Sequence, residues 1–397
     1  MRLAAFWLVA CAFTATMAFA TVPTPLYRIY QEAGNYGQVV AAVIFCTYAV
    51  GVLISLVLAG HLSDLYGRKP IMLAAVALSV VAAVVFLLST ALPVVLLGRL
   101  LCGLAIGLVT TTATAYLADL YQQARPARML RVAEITSTAG NLGGLGIGAW
   151  ISGVAAAWSS TPLRTPYLVF LAILLAMVPA VLMAPETVRP PRPRPPYRVQ
   201  LPGIPHDSRA LFWAAAAAAG VAFSITALFA SQAPNLVADV LHTEREDLSG
   251  ILSLVLFSSA AVAQIFLARG APARQVLLGL TLLVAGIVAT YSSVVFDQLA
   301  ALFLGAVVAG MGAGVALKGA IAAALSVSEP ERRGETLTST FVVAYLGLTL
   351  PALGYSALAE AVGRTSALAV FAGYVTVGAV AIGVVLTRQG EARAPAR

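Results

Sequence analysis

Gly60-His61-Leu62-Ser63-Asp64-Leu65-Tyr66-Gly67-Arg68-Lys69-Pro70 sets an acid and two bases between two glycines and a proline. On either side, about 37–60 and 70–90, lie runs without a single charged residue. Ionised groups are costly in hydrocarbon, so charge held this close to two membrane-length runs belongs at the membrane surface. The stretch reads as a tight turn joining two membrane helices. Gly60 and Gly67 permit sharp backbone turns and close helix approach.

Composition extends this reading to the whole chain. Of 397 residues, 60% are hydrophobic and 10% charged, and the mean hydropathy is +0.92. Soluble domains carry about 25% charged residues. A backbone in hydrocarbon has no water to bond, which leaves helices or a closed barrel. The runs are continuous and about 20 residues long rather than alternating at period two, so they are helices. Twelve spans follow, at about 3–22, 37–60, 70–90, 93–117, 130–156, 166–184, 211–232, 248–268, 275–294, 299–325, 336–357 and 365–386. Arg2 and Ala18-Phe19-Ala20 imitate a cleavable signal, and Leu8-Val9-Ala10-Cys11 a lipoprotein box; the segment is read as an uncleaved first helix.

The spans divide into an N-terminal six-helix bundle (1–184), a linker (185–209), a second six-helix bundle (210–387) and a tail (388–397). The linker holds eight prolines and five arginines, a stiff extended spacer. With the N-terminus inside, eighteen basic residues fall in inner loops and tails and four in outer loops. That bias places both termini in the cytoplasm and accounts for the net charge of +8 without a nucleic-acid partner. Arginine outnumbers lysine 22 to 2, an association with GC-rich bacterial genomes. Cys11, Cys46 and Cys102 all sit in apolar runs, with no metal spacing and no disulfide framework.

A faint duplication links the halves. Leu97–Gly107 in span 4 superimposes on Leu304–Gly314 in span 10 at a shift of 207, setting Gly98, Gly103 and Gly107 on Gly305, Gly310 and Gly314. Such repeats generate alternating access around a site near the midplane.

These features resemble the major facilitator superfamily of secondary transporters. The loop follows its G-x-x-x-D-x-x-G-R-K pattern. Arg99-x-x-x-Gly103-x-x-x-Gly107 is similar to a second signature, whose intramembrane arginine is associated with proton coupling, and Pro185-Glu186-Thr187 is similar to a third. The resemblance implies an all-α fold of two pseudo-symmetric six-helix bundles around a central cavity. It also implies a latch in which Asp64 docks near Glu335-Thr336 at the start of span 11 and Arg68 pairs with Asp119, with Gly60, Gly67 and Lys69 completing the turn. The plainer reading makes Arg68 and Lys69 membrane anchors and Asp64 a turn cap. Two departures stand out: Leu65 occupies a position that is usually basic, and span 5, Gly140 to Gly148, lacks the proline common in drug antiporters.

Arg99, Glu134 and Lys318 are the charged residues within spans that could carry a mechanism. Arg99 lies on one stripe with Gly103, Gly107 and Thr111. Glycine on a stripe marks a packed face, so Arg99 points into protein or a cavity, the alternative being an arginine that reaches back to the interface. Lys318 lies on the equivalent stripe of span 10, as an anion or coupling site or an inner anchor. Glu134, near the inner end of span 5, is a protonatable carboxylate that pairs with Lys318 or Arg131, or an interfacial acid balancing Arg128 and Arg131. Expected cavity residues are Phe13, Thr14, Thr110, Thr111, Asn141, Phe223, Ser224, Phe229, Gln232 and Gln264. Their mixture of aromatic, apolar and hydroxyl groups suits an amphipathic solute better than a sugar.

A phosphate-cradling G-x-x-x-x-G-K-[ST] loop is lacking, as are H-E-x-x-H and G-x-S-x-G. The expectation is a cofactor-free, non-enzymatic, proton-coupled secondary transporter of the bacterial inner membrane, acting as a monomer. Efflux of small organic compounds by proton antiport is the leading reading. Proton-coupled uptake of an organic anion is the alternative, and a polytopic membrane enzyme comes third.

Overall fold

In the computed structural model, residues 2–60, 62–126, 130–188, 202–204, 208–243 and 245–392 are described. Most of the linker, His61, Arg128 and the last five residues of the tail lie outside them.

The described residues form helices joined by short turns, with no strand among them. In order these are α1 (Arg2–Ala20), α2 (Tyr27–Gly34), α3 (Gln38–Ala59), α4 (Leu62–Tyr66), α5 (Arg68–Leu88), α6 (Leu92–Ala124), α7 (Arg131–Thr138), α8 (Gly144–Ala157), α9 (Thr165–Met183), α10 (Arg209–Leu241), α11 (Glu246–Phe266), α12 (Pro272–Val295), α13 (Leu299–Ser326), α14 (Arg333–Val362) and α15 (Arg364–Ala392). Among the described residues, eleven stretches are individually long and apolar enough to cross a membrane. The remaining expected span is interrupted: α7 and α8 are joined by a π-helical turn at Ala139–Gly143. A π turn carries an extra residue in the helix and shifts its register. It overlaps the proline-free stretch from Gly140 to Gly148.

Two helices outrun their expected ends furthest. Span 4 continues from 117 to Ala124 and span 7 from 232 to Leu241, through polar residues that a hydropathy reading ends on. Prolines near helix starts, at Pro93, Pro166 and Pro272, fall where the amide has no intrahelical partner.

The chain divides into two compact units. One holds Met1–Gln200, Ala233–Asn235 and Glu244–Ser258; the other holds Leu201–Gln232, Leu236–Thr243 and Ser259–Arg397. In the first unit, the sequence repeat becomes packing. A Cβ at Gly98 would meet the Phe86 ring of α5 at 2.9 Å, and one at Gly107 would meet Ser55 Cβ of α3 at 2.5 Å. The second unit matches this helix for helix. A Cβ at Gly305 would meet Thr290 Oγ1 of α12 at 2.5 Å, and one at Gly314 would run into the Ala260 carbonyl of α11. The shift of 207 therefore brings together glycines that face equivalent neighbours. Close backbone approach through small residues is how helices associate where hydrocarbon removes the hydrophobic drive.

Candidate functional site

The charged loop folds as one helical turn, α4, ended by Gly67 at φ +106 and ψ 153. That backbone region is open essentially to glycine alone. The turn aims the first amides of α5 outward, and the Glu186 carboxylate closes on them. It accepts the backbone N–H of Arg68 at 2.9 Å and of Lys69 at 3.1 Å. A carboxylate satisfies otherwise orphaned amides and complements the helix dipole at such an end. Glu186 also accepts the amides of Thr187 (2.8 Å) and Val188 (3.0 Å), which fold the segment around it.

Arg68 is the centre of the knot, with its side chain 12% exposed. Its guanidinium reaches Asp64 Oδ1 at 2.7 Å and Asp119 Oδ2 at 3.4 Å, and donates to Ser63 Oγ at 2.6 Å. Thr187 donates to the same Asp119 oxygen at 3.1 Å. Tyr116, one turn before Asp119 on α6, donates its hydroxyl to the Pro185 carbonyl at 2.7 Å. The Lys69 ammonium donates to the Leu182 carbonyl at 2.6 Å. The ends of α5, α6 and α9 are thus tied by one cluster. The sequence pointed to the contact between Arg68 and Asp119. It gave no sign that Glu186, 118 residues from Arg68, closes the same turn. Asp64 is held by Arg68, while Glu335 pairs with Arg332 at 2.9 Å and Thr336 shares a hydrogen bond of 2.8 Å with Ser328.

Arg99 does not reach back to the interface; it is 2% exposed. Its Nη1 donates to the Ala20 carbonyl (2.9 Å), its Nε to Ile44 (3.2 Å) and its Nη2 to Phe45 (3.3 Å). The Ala20 carbonyl is an end carbonyl of α1, with no intrahelical partner of its own and favourable to a cation. The Tyr48 and Phe45 rings lie 4.8 and 5.9 Å from the guanidinium carbon. Such cation–π contacts contribute about 0.5–2 kcal/mol each.

Lys318 is exposed on α13, and its ammonium donates to the Gln264 carbonyl near the end of α11 at 3.1 Å. Glu134 is exposed in the first turn of α7 and forms no ion pair among the described residues. It does not join Arg131. Among the expected cavity residues, Phe13, Ser224, Phe229 and Gln232 are buried, whereas Thr14, Thr110, Thr111, Asn141, Phe223 and Gln264 are half-buried. Asn141 sits in the π turn, and a Cβ on its neighbour Gly140 would meet Phe13 and Thr14 at 3.1 Å. Among the described residues no cluster of ligating side chains fits a metal ion.

Residues 5–347 match the description of the Major Facilitator Superfamily. The chain belongs to that superfamily. A stretch of 109 residues, 27% of the chain, is 31% identical to D-xylose-proton symporter-like 1 of Arabidopsis thaliana and spans 22% of that protein's length. Solved transporters share the fold at low identity. The nucleoside transporter NupG superimposes with a TM-score of 0.75 at 12% identity, over 96% of this chain and 99% of its own. A bacterial homologue of the human lysosomal transporter Spinster, inward-facing and unoccupied, gives 0.73 at 17%, over 100% and 99%. The human organic anion transporter MFSD10 (TETRAN) gives 0.70 at 14%, over 97% and 99%. This superfamily member is a multi-pass membrane protein, with eleven candidate spans among the described residues.

Proposed function

We propose that this transporter exports small organic compounds in exchange for protons by alternating access, as a monomer in a bacterial plasma membrane with both termini in the cytoplasm. The observation that carries the alternating-access part is the knot around Arg68. It ties three helix ends through ion pairs and charge-assisted hydrogen bonds, which release together when one partner leaves. A hydrophobic seal has no such switch. In this reading Asp64, Arg68 and Asp119 hold one state of the cycle and let go in the other. The aromatic and hydroxyl character of Phe13, Thr14, Asn141 and Phe223 suits amphipathic cargo, and the direction follows the family resemblance. Arg99 acts as an anchor: carbonyls and rings already occupy its guanidinium, so it sets α1 against α3 and α6 instead of gripping cargo.

One observation favours a second reading, uptake of an organic anion. The Lys318 ammonium is exposed and has a single main-chain acceptor at 3.1 Å, which leaves two donors for a carboxylate. Proteoliposomes subjected to a pH jump, with a panel of lipophilic cations and organic acids, separate the two. Export by antiport requires cation accumulation driven by an acidic lumen. Acid accumulation driven by an inward proton gradient, with no cation response, overturns it in favour of the second reading.

A further inference from the structure

The extension of α10 to Leu241 turns a residue expected in a loop into one held inside a helix bundle. Asp239 lies in the last turn of α10, with its side chain only 12% exposed, and forms an ion pair with Arg364. Arg364 opens α15 directly after Gly363 at φ +89. A cation in the first turn of a helix is opposed by the helix dipole. Asp239 offsets that penalty, and Arg364 in turn gives the largely buried carboxylate a charged partner.

The pair ends a polar face. Seven residues earlier on α10, and so on the same side of the helix, Gln232 is 2% exposed. Its amide donates to Ser356 of α14 at 3.3 Å and Ser231 at 3.4 Å. Tyr355, next to Ser356, is buried and lies within electrostatic reach of both Asp239 and Arg364. Between Gln232 and Asp239 stands Pro234, which lacks the amide that would bind the carbonyl four residues back and so weakens α10 there. Beyond the helix end, His242 pairs with Asp297 at 3.4 Å, both exposed; Glu360 of α14 is also exposed.

We propose that Asp239 carries the coupling proton: it is ionised while paired with Arg364, and it takes up a proton when the end of α10 moves away from the start of α15. This rests on the proton-coupled reading above. The step is balanced by one proton, which bonds to a carboxylate oxygen as the ion pair opens, while Arg364 stays charged throughout. The sign follows from the environment. Pairing favours the ionised carboxylate, and a desolvated carboxylate without its partner favours the neutral acid, so acid shifts the population toward the separated state.

The test is a distance measurement on the full chain in lipid nanodiscs. Spin labels are placed through Thr243→Cys and Ser366→Cys, with Cys11, Cys46 and Cys102 each replaced by Ala. The expected result is a lengthening of the distance on acidification. Asp239→Asn is expected to show the long distance at every pH, and Asp239→Glu to restore the response. Arg364→Gln, which keeps the carboxyl, is expected to move the midpoint to higher pH. A parent distance that ignores pH, or a pH response that survives in Asp239→Asn, overturns the proposal, because a merely structural pair gives those results. Failure of proton coupling itself would appear separately, as a wild-type cargo panel with no response to the proton gradient.

Discussion

The turn that opens α5 and the turn that opens α12 occupy corresponding places in the two halves, and they are built differently. Each contains a glycine with positive φ, Gly67 at +106 and Gly270 at +85. Ahead of α5, Glu186 caps the helix from the far end of the first half, and Arg68 binds two carboxylates. The turn ahead of α12, Leu267 to Gln275, contains no acid at all. There the Gln275 amide donates to the Gly270 carbonyl at 2.9 Å, five residues away. One turn is closed by charge from distant segments, the other by a neutral bond to its own backbone. A joint made of distant charges opens when any one element moves; a local neutral bond does not. On the alternating-access proposal, the movable joint belongs to the first half.

The sharpest way to break the comparison is Gly67→Ala against Gly270→Ala. A Cβ at Gly67 runs into Glu186 Oε2 as well as meeting a forbidden backbone region, whereas nothing lies within 4 Å of one at Gly270. The expected loss is about 3 kcal/mol at Gly67 and about 1 kcal/mol at Gly270. Thermal unfolding in detergent measures both, and equal losses would show that Glu186 does not close the first turn.

Next in size is Arg68→Ala, which strands Asp119 at 33% and Asp64 at 63% exposure. Water screens the Asp64 side, so the expected loss is about 2 kcal/mol, less than for a fully buried pair. Transport should fall more steeply than stability, because the lost contacts join the start of α5 to α4 and to the end of α6. Arg68→Lys should recover only part of either, since an ammonium lacks the planar fork that meets two carboxylates. The matching changes Arg269→Ala and Arg274→Ala should leave transport unchanged.

Much of this contrast was legible in the sequence. The acid, the bases and the glycines of residues 60–70 are local, and so rare in an apolar chain that their position is informative. The repeat was legible because glycine at a helix contact has no substitute of equal size, and Gly98 and Gly305 meet equivalent helices. What hid from the sequence is of another kind. The acceptors around Arg99 are main-chain carbonyls, which carry no side-chain signature. The π turn at Ala139–Gly143 changes register, to which hydropathy is blind. The ends of α6 and α10 run past the apolar stretch on neighbouring packing, and with α10 went Asp239. The cap by Glu186 depends on tertiary closure across more than a hundred residues.

That cap gives the next prediction. Glu186→Gln keeps an oxygen for only one of the Arg68 and Lys69 amides, turns its own NH2 toward the other and removes the charge from the helix end. The expected loss is about 1 kcal/mol. Gln275→Ala, its counterpart ahead of α12, removes a neutral bond and should be insensitive to salt. Unfolding midpoints at low and high ionic strength separate the two, and a salt-dependent difference confined to Glu186→Gln is the expected outcome.

The smallest effect is also the most discriminating. Asp64→Asn removes a partner that is 63% exposed and four residues from Arg68 on the same turn, worth about 0.3 kcal/mol of stability. If Asp64 merely caps the turn, transport should change no more than stability does. If it carries charge between the two states of the cycle, transport falls several-fold while the unfolding midpoint barely moves. Leu65→Arg offers the converse test: it adds the base usually found beside this acid. A slower cycle in Leu65→Arg, with no gain in stability, would show that the joint tightens in one state only, as a switch requires and a static cap does not.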